Sequence, residues 1–247
     1  MKFSTLLVSL AIAAGATARR LTVHNACPFT IWPAVYTGSG SGPKTGWEAP
    51  AWSSKVIDVP DNWTAGRIWG RRNCDFSKPE TQSCAIGACI GGLQCTHPGI
   101  PPVTLAEFSL RQADGKDFYD VSLVDGYGLP VRISPSASAC HVAECAVDLG
   151  PICPAALKGP FDSKGFPLGC KSACLANLDG NPANSPNCCS GHYNTPQTCP
   201  SSGVQYYSFF KKNCPNSYAY AYDESSGTAL WACGREHNSN YAITFCP

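Results

Sequence analysis

The sequence predicts a mainly β fold held together by disulfides, on three observations. Sixteen cysteines stand beside 23 Gly, 21 Pro and a single Met. Short apolar and β-branched runs recur between Gly, Pro, Ser and Asn, which is strand and turn chemistry at hairpin spacing. Two later segments alternate apolar with polar residues at the period of two that belongs to a strand with one buried face. An even number of cysteines at this density is the composition of an oxidised, extracellular scaffold, in which bridges replace part of a large core.

Taken in order, Lys2 is followed by an apolar run over 6–14 and then by the small residues Ala14, Gly15, Ala16, Thr17 and Ala18. This segment is too short to span a bilayer and reads as a signal peptide over 1–18, cut after Ala18, so the chain is expected to be secreted to the extracellular space or the cell wall. The full chain carries 18 Lys and Arg against 17 Asp and Glu, and loss of Lys2 balances the two signs. A neutral protein lacks the field that gathers nucleic acid or anionic lipid, so neither is expected as a partner. No second apolar stretch is long enough for an integral membrane segment, and a monomer is expected.

Strands are expected at 21–23, 29–32, 55–59 and 67–69, with the GSGSG run at 38–42 as a loop. Residues 74–95 hold four cysteines with Gly87, Gly91 and Gly92, the makings of a small cystine loop. Over 103–133 the pattern is clearest: Ala106, Phe108 and Leu110 alternate with Glu107 and Ser109, while Tyr119, Val121 and Leu123 alternate with Phe118, Asp120 and Ser122. Period two places the apolar set on one sheet face and the acids on the other. Asp125-Gly126 then supplies a turn, and 129–133 returns as a strand. The Pro-, Asn- and Cys-rich stretch that follows has room for short helices at 171–178 and 205–212. Strands at 218–222 and 241–245 close the chain. Zinc is the competing use for clustered cysteines, but Cys188 adjoins Cys189 and the five histidines show no paired ligand spacing, so no metal and no cofactor are expected. There is also no Gly-x-Ser-x-Gly elbow, no His-Glu-x-x-His and no phosphate loop.

The strings GRIWGRRNC (66–74), TLAEFSL (104–110), DFYDVSLVDGYGLP (117–130), the Cys188-Cys189 pair, YYSFFKKNCPNSYAYAYD (206–223) and NYAITFCP (240–247) resemble the thaumatin-like family in order and spacing. Sixteen cysteines admit about two million pairings by the usual counting, and the residues alone do not choose among them. The resemblance implies Cys27 with Cys246, Cys74 with Cys84, Cys89 with Cys95, Cys140 with Cys233, Cys145 with Cys214, Cys153 with Cys170, Cys174 with Cys188, and Cys189 with Cys199. It further implies a flattened antiparallel β-sandwich core over 19–72, 96–145 and 215–247. A small cystine loop subdomain would span 73–95, and a disulfide-rich helix and loop subdomain 146–214. One motif departs from the family: Ile86, Gly87 and Ala88 stand where Thr-Gly-Asp is usual.

The resemblance also implies an acidic cleft of one Arg, one Glu and three Asp, matched here by Arg67, Glu107, Asp120, Asp125 and Asp223. Carboxylates gathered in one groove raise each other's proton affinity, while a guanidinium among them keeps one ionised. That division suits glycoside hydrolysis, which needs an acid for the leaving oxygen and a carboxylate as base or nucleophile. Glu107 is expected as the acid and Asp125 as base or nucleophile. Arg67, Asp120 and Asp223 are expected to bind and orient substrate, and Phe118, Tyr127 and Tyr222 to offer stacking faces to sugar rings. The substrate class implied is β-1,3-glucan of the cell wall, with a glucan-binding antifungal protein without turnover, or an inhibitor of other hydrolases, as the alternatives. Asn62-Trp63-Thr64 is an N-glycosylation acceptor.

Overall fold

The computed structural model describes residues 18–43 and 45–247. The expected leader lies outside the described residues except for Ala18, its last residue, which opens the first strand. Among the described residues eleven strands and one short α-helix follow in order: β1 Ala18–Asn25, β2 Trp32–Ser39, β3 Ser54–Pro60, β4 Thr64–Cys74, β5 Cys84–Ile86, β6 Leu105–Ser109, β7 Lys116–Ser122, β8 Val131–Pro135, β9 Ala143–Cys145, α1 Tyr207–Asn213, β10 Trp231–Gly234 and β11 Tyr241–Phe245.

The strands form a β-sandwich. One sheet has the order β3-β1-β11-β8-β9, and the other runs β10-β7-β6-β4-β2 with β5 attached to β4. Period-two burial builds the space between them. Leu21, Val23, Ile133, Ile243 and Phe245 of the first sheet meet Val35, Ile68, Ala106, Phe108, Tyr119 and Val121 of the second in a single core. Phe108 on β6 crosses the interlayer to Tyr241 on β11, with ring centroids 5.5 Å apart and edges turned to faces. Most pairings are antiparallel, as expected, but β1 lies parallel to β11, Leu21 beside Tyr241 through Asn25 beside Phe245.

All eight disulfides join the pairs that the family resemblance implies. Cys27–Cys246 closes a separation of 219 residues and locks the parallel seam. In the chain-entropy picture a loop of that length is worth about 5 kcal/mol of stability. The cystine loop beside β5 is pinned by Arg71, which is fully buried. Its Nε donates to the Trp32 carbonyl at 2.9 Å, Nη1 to Gly92 at 2.7 Å and Nη2 to Leu93 at 2.9 Å. With carbonyls rather than a carboxylate around it, burial pulls the guanidinium down to about 10.

Four expected elements differ. The strand expected at 29–32 begins only at Trp32 and runs on to Ser39. Over 171–178 only one α-type bond forms, from the Ala176 N–H to the Ser172 carbonyl at 2.9 Å, and Asn177 at φ 50° ends the turn before a helix can grow. Helix α1 begins at Tyr207 instead of 205 because Tyr206 sits in the left-handed region at φ 60°. The strand expected at 218–222 is a loop. Tyr218 makes a single bridge to Ser122, and the next ladder donor, the Ala219 N–H, is taken by the Asp223 carboxylate at 2.9 Å. Strands β5, β9 and β10, of three, three and four residues, are too short to show a period.

The turn between β3 and β4 presents Asn62 to solvent while Trp63 is buried, its indole N–H donating to Thr37 Oγ1 at 2.8 Å. Among the described residues no helix is long and apolar enough to cross a membrane.

Candidate acidic cleft

Strand register assembles the site. Across β4, β6 and β7, Arg67 stands beside Glu107 and Glu107 beside Asp120. Their neighbours Ile68, Ala106 and Val121 point into the core, so the three charged side chains share the opposite face. The turn after β7, closed by Gly126 at φ 86°, folds Asp125 over the same face. These four residues line one open cavity of about 510 Å³, together with Phe118, Tyr218 and Glu224. Phe118, two residues before Asp120 on β7, forms one wall.

Arg67 Nε meets Glu107 Oε1 at 2.9 Å, with both side chains part exposed. The Glu107 carboxyl is nevertheless pushed up, mainly by burial and also by Asp125, against the pull of Arg67 and a hydrogen bond from Ser122. Burial also raises Asp125, again opposed by Arg67. Asp120 is the deepest of the set. Its Oδ1 is buried with no hydrogen-bond partner among the described residues. Burial first, then the charges of Glu107 and Glu224, hold its carboxyl well above the usual carboxylate range, with Arg67 opposing. Asp120 therefore keeps its proton to a higher pH than an ordinary aspartic acid.

That proton affinity has a consequence for stability. A carboxyl that binds its proton more tightly folded than unfolded adds stability in acid, below its unfolded value near about 4, and that contribution is lost as pH rises toward the folded value. Asp120→Asn removes the effect. Thermal unfolding of the two proteins should show the stability of Asp120→Asn gaining on wild type as pH rises above about 4, by up to about 1.4 kcal/mol per pH unit for as long as folded Asp120 holds its proton. A pH-independent difference would count against a proton held there.

Of the expected site residues, Arg67, Glu107, Asp120, Asp125 and Phe118 converge, and three do not. Asp223 is fully buried and lies outside the cavity. Its carboxylate accepts from the Tyr207 hydroxyl at 2.8 Å, Lys211 Nζ at 2.9 Å and the Ala219 N–H. With none of its surface exposed, it offers nothing to a sugar in the cleft. Glu224, which the sequence reading passed over, faces the cleft in its place and accepts from the Tyr218 hydroxyl at 3.3 Å. The signal for it was present as two adjacent acids, but it required a turn rather than a strand before them. Tyr127 is also buried: it pairs with Cys170 and its hydroxyl donates to Asp148 Oδ1 at 3.0 Å, so it offers no face to a ligand. Tyr222 lies beyond Glu224, in a neighbouring hollow. No group of three or more His, Cys, Asp or Glu among the described residues is arranged to hold a metal ion.

Comparison with known proteins finds relatives along the whole chain. Thaumatin-like protein 1 of Pyrus pyrifolia is 40% identical over the whole of both chains. A Prunus avium protein named glucan endo-1,3-beta-glucosidase is 38% identical, again over the whole of both. Among solved structures, a laminaripentaose-producing β-1,3-glucanase of glycoside hydrolase family 64 from Paenibacillus barengoltzii shares the fold at a TM-score of 0.55 and 11% identity, covering 94% of this chain and 75% of that one. The family model described as Thaumatin family matches residues 25–247, and the chain belongs to that family.

Proposed function

We propose that this is a secreted protein that acts on β-1,3-glucan by endo-hydrolysis in the acidic cleft. The observation that carries the reading is the convergence of Arg67, Glu107, Asp120 and Asp125 on one open cavity, with the proton affinities of three of them raised. The name of the Prunus avium relative supports the substrate class, and the eight disulfides fit an extracellular protein.

The carboxyl groups divide the work by environment. Glu107, on a rigid strand at the cavity wall, gives its proton to the glycosidic oxygen as the bond from that oxygen to the anomeric carbon breaks. Asp125 serves the other face, taking a proton from the attacking water or bonding the anomeric carbon itself until water releases it. Arg67 orients Glu107 and pairs with the carboxylate that forms there as the proton leaves. Asp120 and Glu224 hydrogen-bond sugar hydroxyls, the first as donor and the second as acceptor, and Phe118 packs against a ring face.

A second reading has its own support. The Arg67–Glu107 ion pair at 2.9 Å favours the ionised form of Glu107, which opposes proton donation and suits a glucan-binding protein without turnover. Incubation of the pure protein with a linear, unbranched β-1,3-glucan decides between them. Reducing ends should accumulate with a fall in mean chain length, as internal cuts require. Retention on insoluble glucan with no new reducing ends would establish the binding reading instead, and no retention would remove both.

A further inference from the structure

Beyond Glu224 the cleft does not stop. A second hollow of about 600 Å³ is lined by Pro196, Pro200, Ser201, Tyr220, Tyr222 and Ser225, and shares Glu224 with the acidic cavity. A smaller hollow of about 220 Å³ shares Asp125 with the first and Tyr220 with the second. The second hollow is lined by the half-buried Tyr222 ring and the exposed rings of Pro196 and Pro200, with Tyr220 all but buried, serine side chains beside them and Glu224 as its one charged lining residue. Flat C–H and π surfaces rimmed by hydroxyl partners match a pyranose ring, which is apolar on its faces and polar around its edge.

The hollow is preformed. Tyr220 packs with Cys189, Cys199 and Val204 in a small core of its own, against which Tyr193, Tyr207 and Tyr222 also lie. The Cys189–Cys199 bridge holds the loop that carries Pro196. The Tyr222 hydroxyl donates to the Asn194 carbonyl at 2.7 Å, fixing the far end of its ring. Tyr220 stands edge-on to Tyr207 at 5.4 Å. A stacking face held at both ends costs little entropy when a ligand arrives.

We propose that this hollow is a second sugar-binding site, which takes the outer units of a β-glucan chain whose inner units lie in the acidic cleft, so that the protein favours long chains over short ones. The inference rests on the glucan reading above and adds chain length to it. The continuity through Glu224 favours a glucan over the other ligand that aromatic and proline-lined hollows accept, an extended proline-rich peptide.

Calorimetric titration with laminaritriose and laminarihexaose tests it. Wild type should bind the hexamer more tightly, and Tyr222→Ala should lower the hexamer-to-trimer affinity ratio about tenfold, the range of one aromatic contact. Tyr222→Phe, which keeps the ring, should hold the ratio within about twofold. If Tyr222→Ala fails to fold, as judged by near-ultraviolet circular dichroism, Tyr222→Trp decides: its wider face should raise the ratio. An unchanged ratio in Tyr222→Ala or Tyr222→Trp, or an equal loss for both lengths, would overturn the second site and leave the acidic-cleft reading standing. A proline-rich peptide that competes with neither sugar but is lost with Tyr222→Ala would also overturn it. Wild type binding neither oligosaccharide would overturn both readings together.

Discussion

Glu107→Gln should lower the release of reducing ends from linear β-1,3-glucan by about 10²- to 10⁴-fold, the usual worth of a positioned general acid. The amide has the shape of the acid and still faces Arg67, but it has no proton to give. Both partners of that ion pair are part exposed, so its loss should move stability by less than about 1 kcal/mol. Retention on insoluble glucan should then stay within a few-fold of wild type, because the cavity walls, Asp120 and Glu224 are untouched. The pH dependence gives a second check. Burial and Asp125 raise the proton affinity of Glu107, so the alkaline limb of the wild-type rate profile should lie above the ordinary glutamic acid value. Equal rates for wild type and variant would remove Glu107 from the chemistry. If Asp120→Asn alone abolished turnover, the acid would be Asp120, the carboxyl that binds its proton most firmly.

Asp223→Ala should cost more than replacement of any carboxylate that lines the cleft, and its cost should fall on folding. The side chain is fully buried and accepts from Tyr207, Lys211 and the Ala219 N–H. Its removal leaves the Lys211 ammonium, itself only 15% exposed, without its counter-charge. Breaking a buried pair from one side typically costs about 3–5 kcal/mol, which in a chain of this size lowers the melting temperature by about 10 °C. Glu224→Gln, one residue along and exposed, should shift it by no more than about 2 °C while weakening glucan affinity several-fold. Differential scanning calorimetry of the oxidised proteins, beside glucan titration, separates the two. An unaltered melting temperature with lost glucan affinity in Asp223→Ala would return that residue to the binding surface.

The contrast between residues 223 and 224 shows where a one-dimensional reading ends. The alternation around Glu107 and Asp120 is visible because a pleated strand writes its two faces into the sequence, and cross-strand register did the rest by bringing Arg67 alongside. Which of two adjacent acids faces the cleft depends instead on backbone direction. That direction is set here by a carboxylate capturing an amide four residues earlier, a contact with no periodic signature. Tyr127 fails for a related reason: sequence proximity to Asp125 says nothing about a bridge to Cys170, which draws the ring inward. The cysteine pairing was never in the residues taken alone. It came through resemblance, and the bridges found here agree with it. Helix signals at 171–178 were real in composition but were outweighed by a left-handed asparagine and closely spaced bridges.

The parallel seam between β1 and β11 bears on how a newly made chain must proceed. The middle of one sheet cannot close until β11 has left the ribosome, and until then β1 and β8 carry unpaired edges with nothing between them. Cys27 emerges before every other cysteine and must wait for Cys246 while fourteen rivals appear after it. Production of this protein should therefore depend more on a thiol-shuffling catalyst than its many short-range bridges suggest, and a nascent chain stalled before Tyr241 should accumulate scrambled pairings rather than a smaller native sheet.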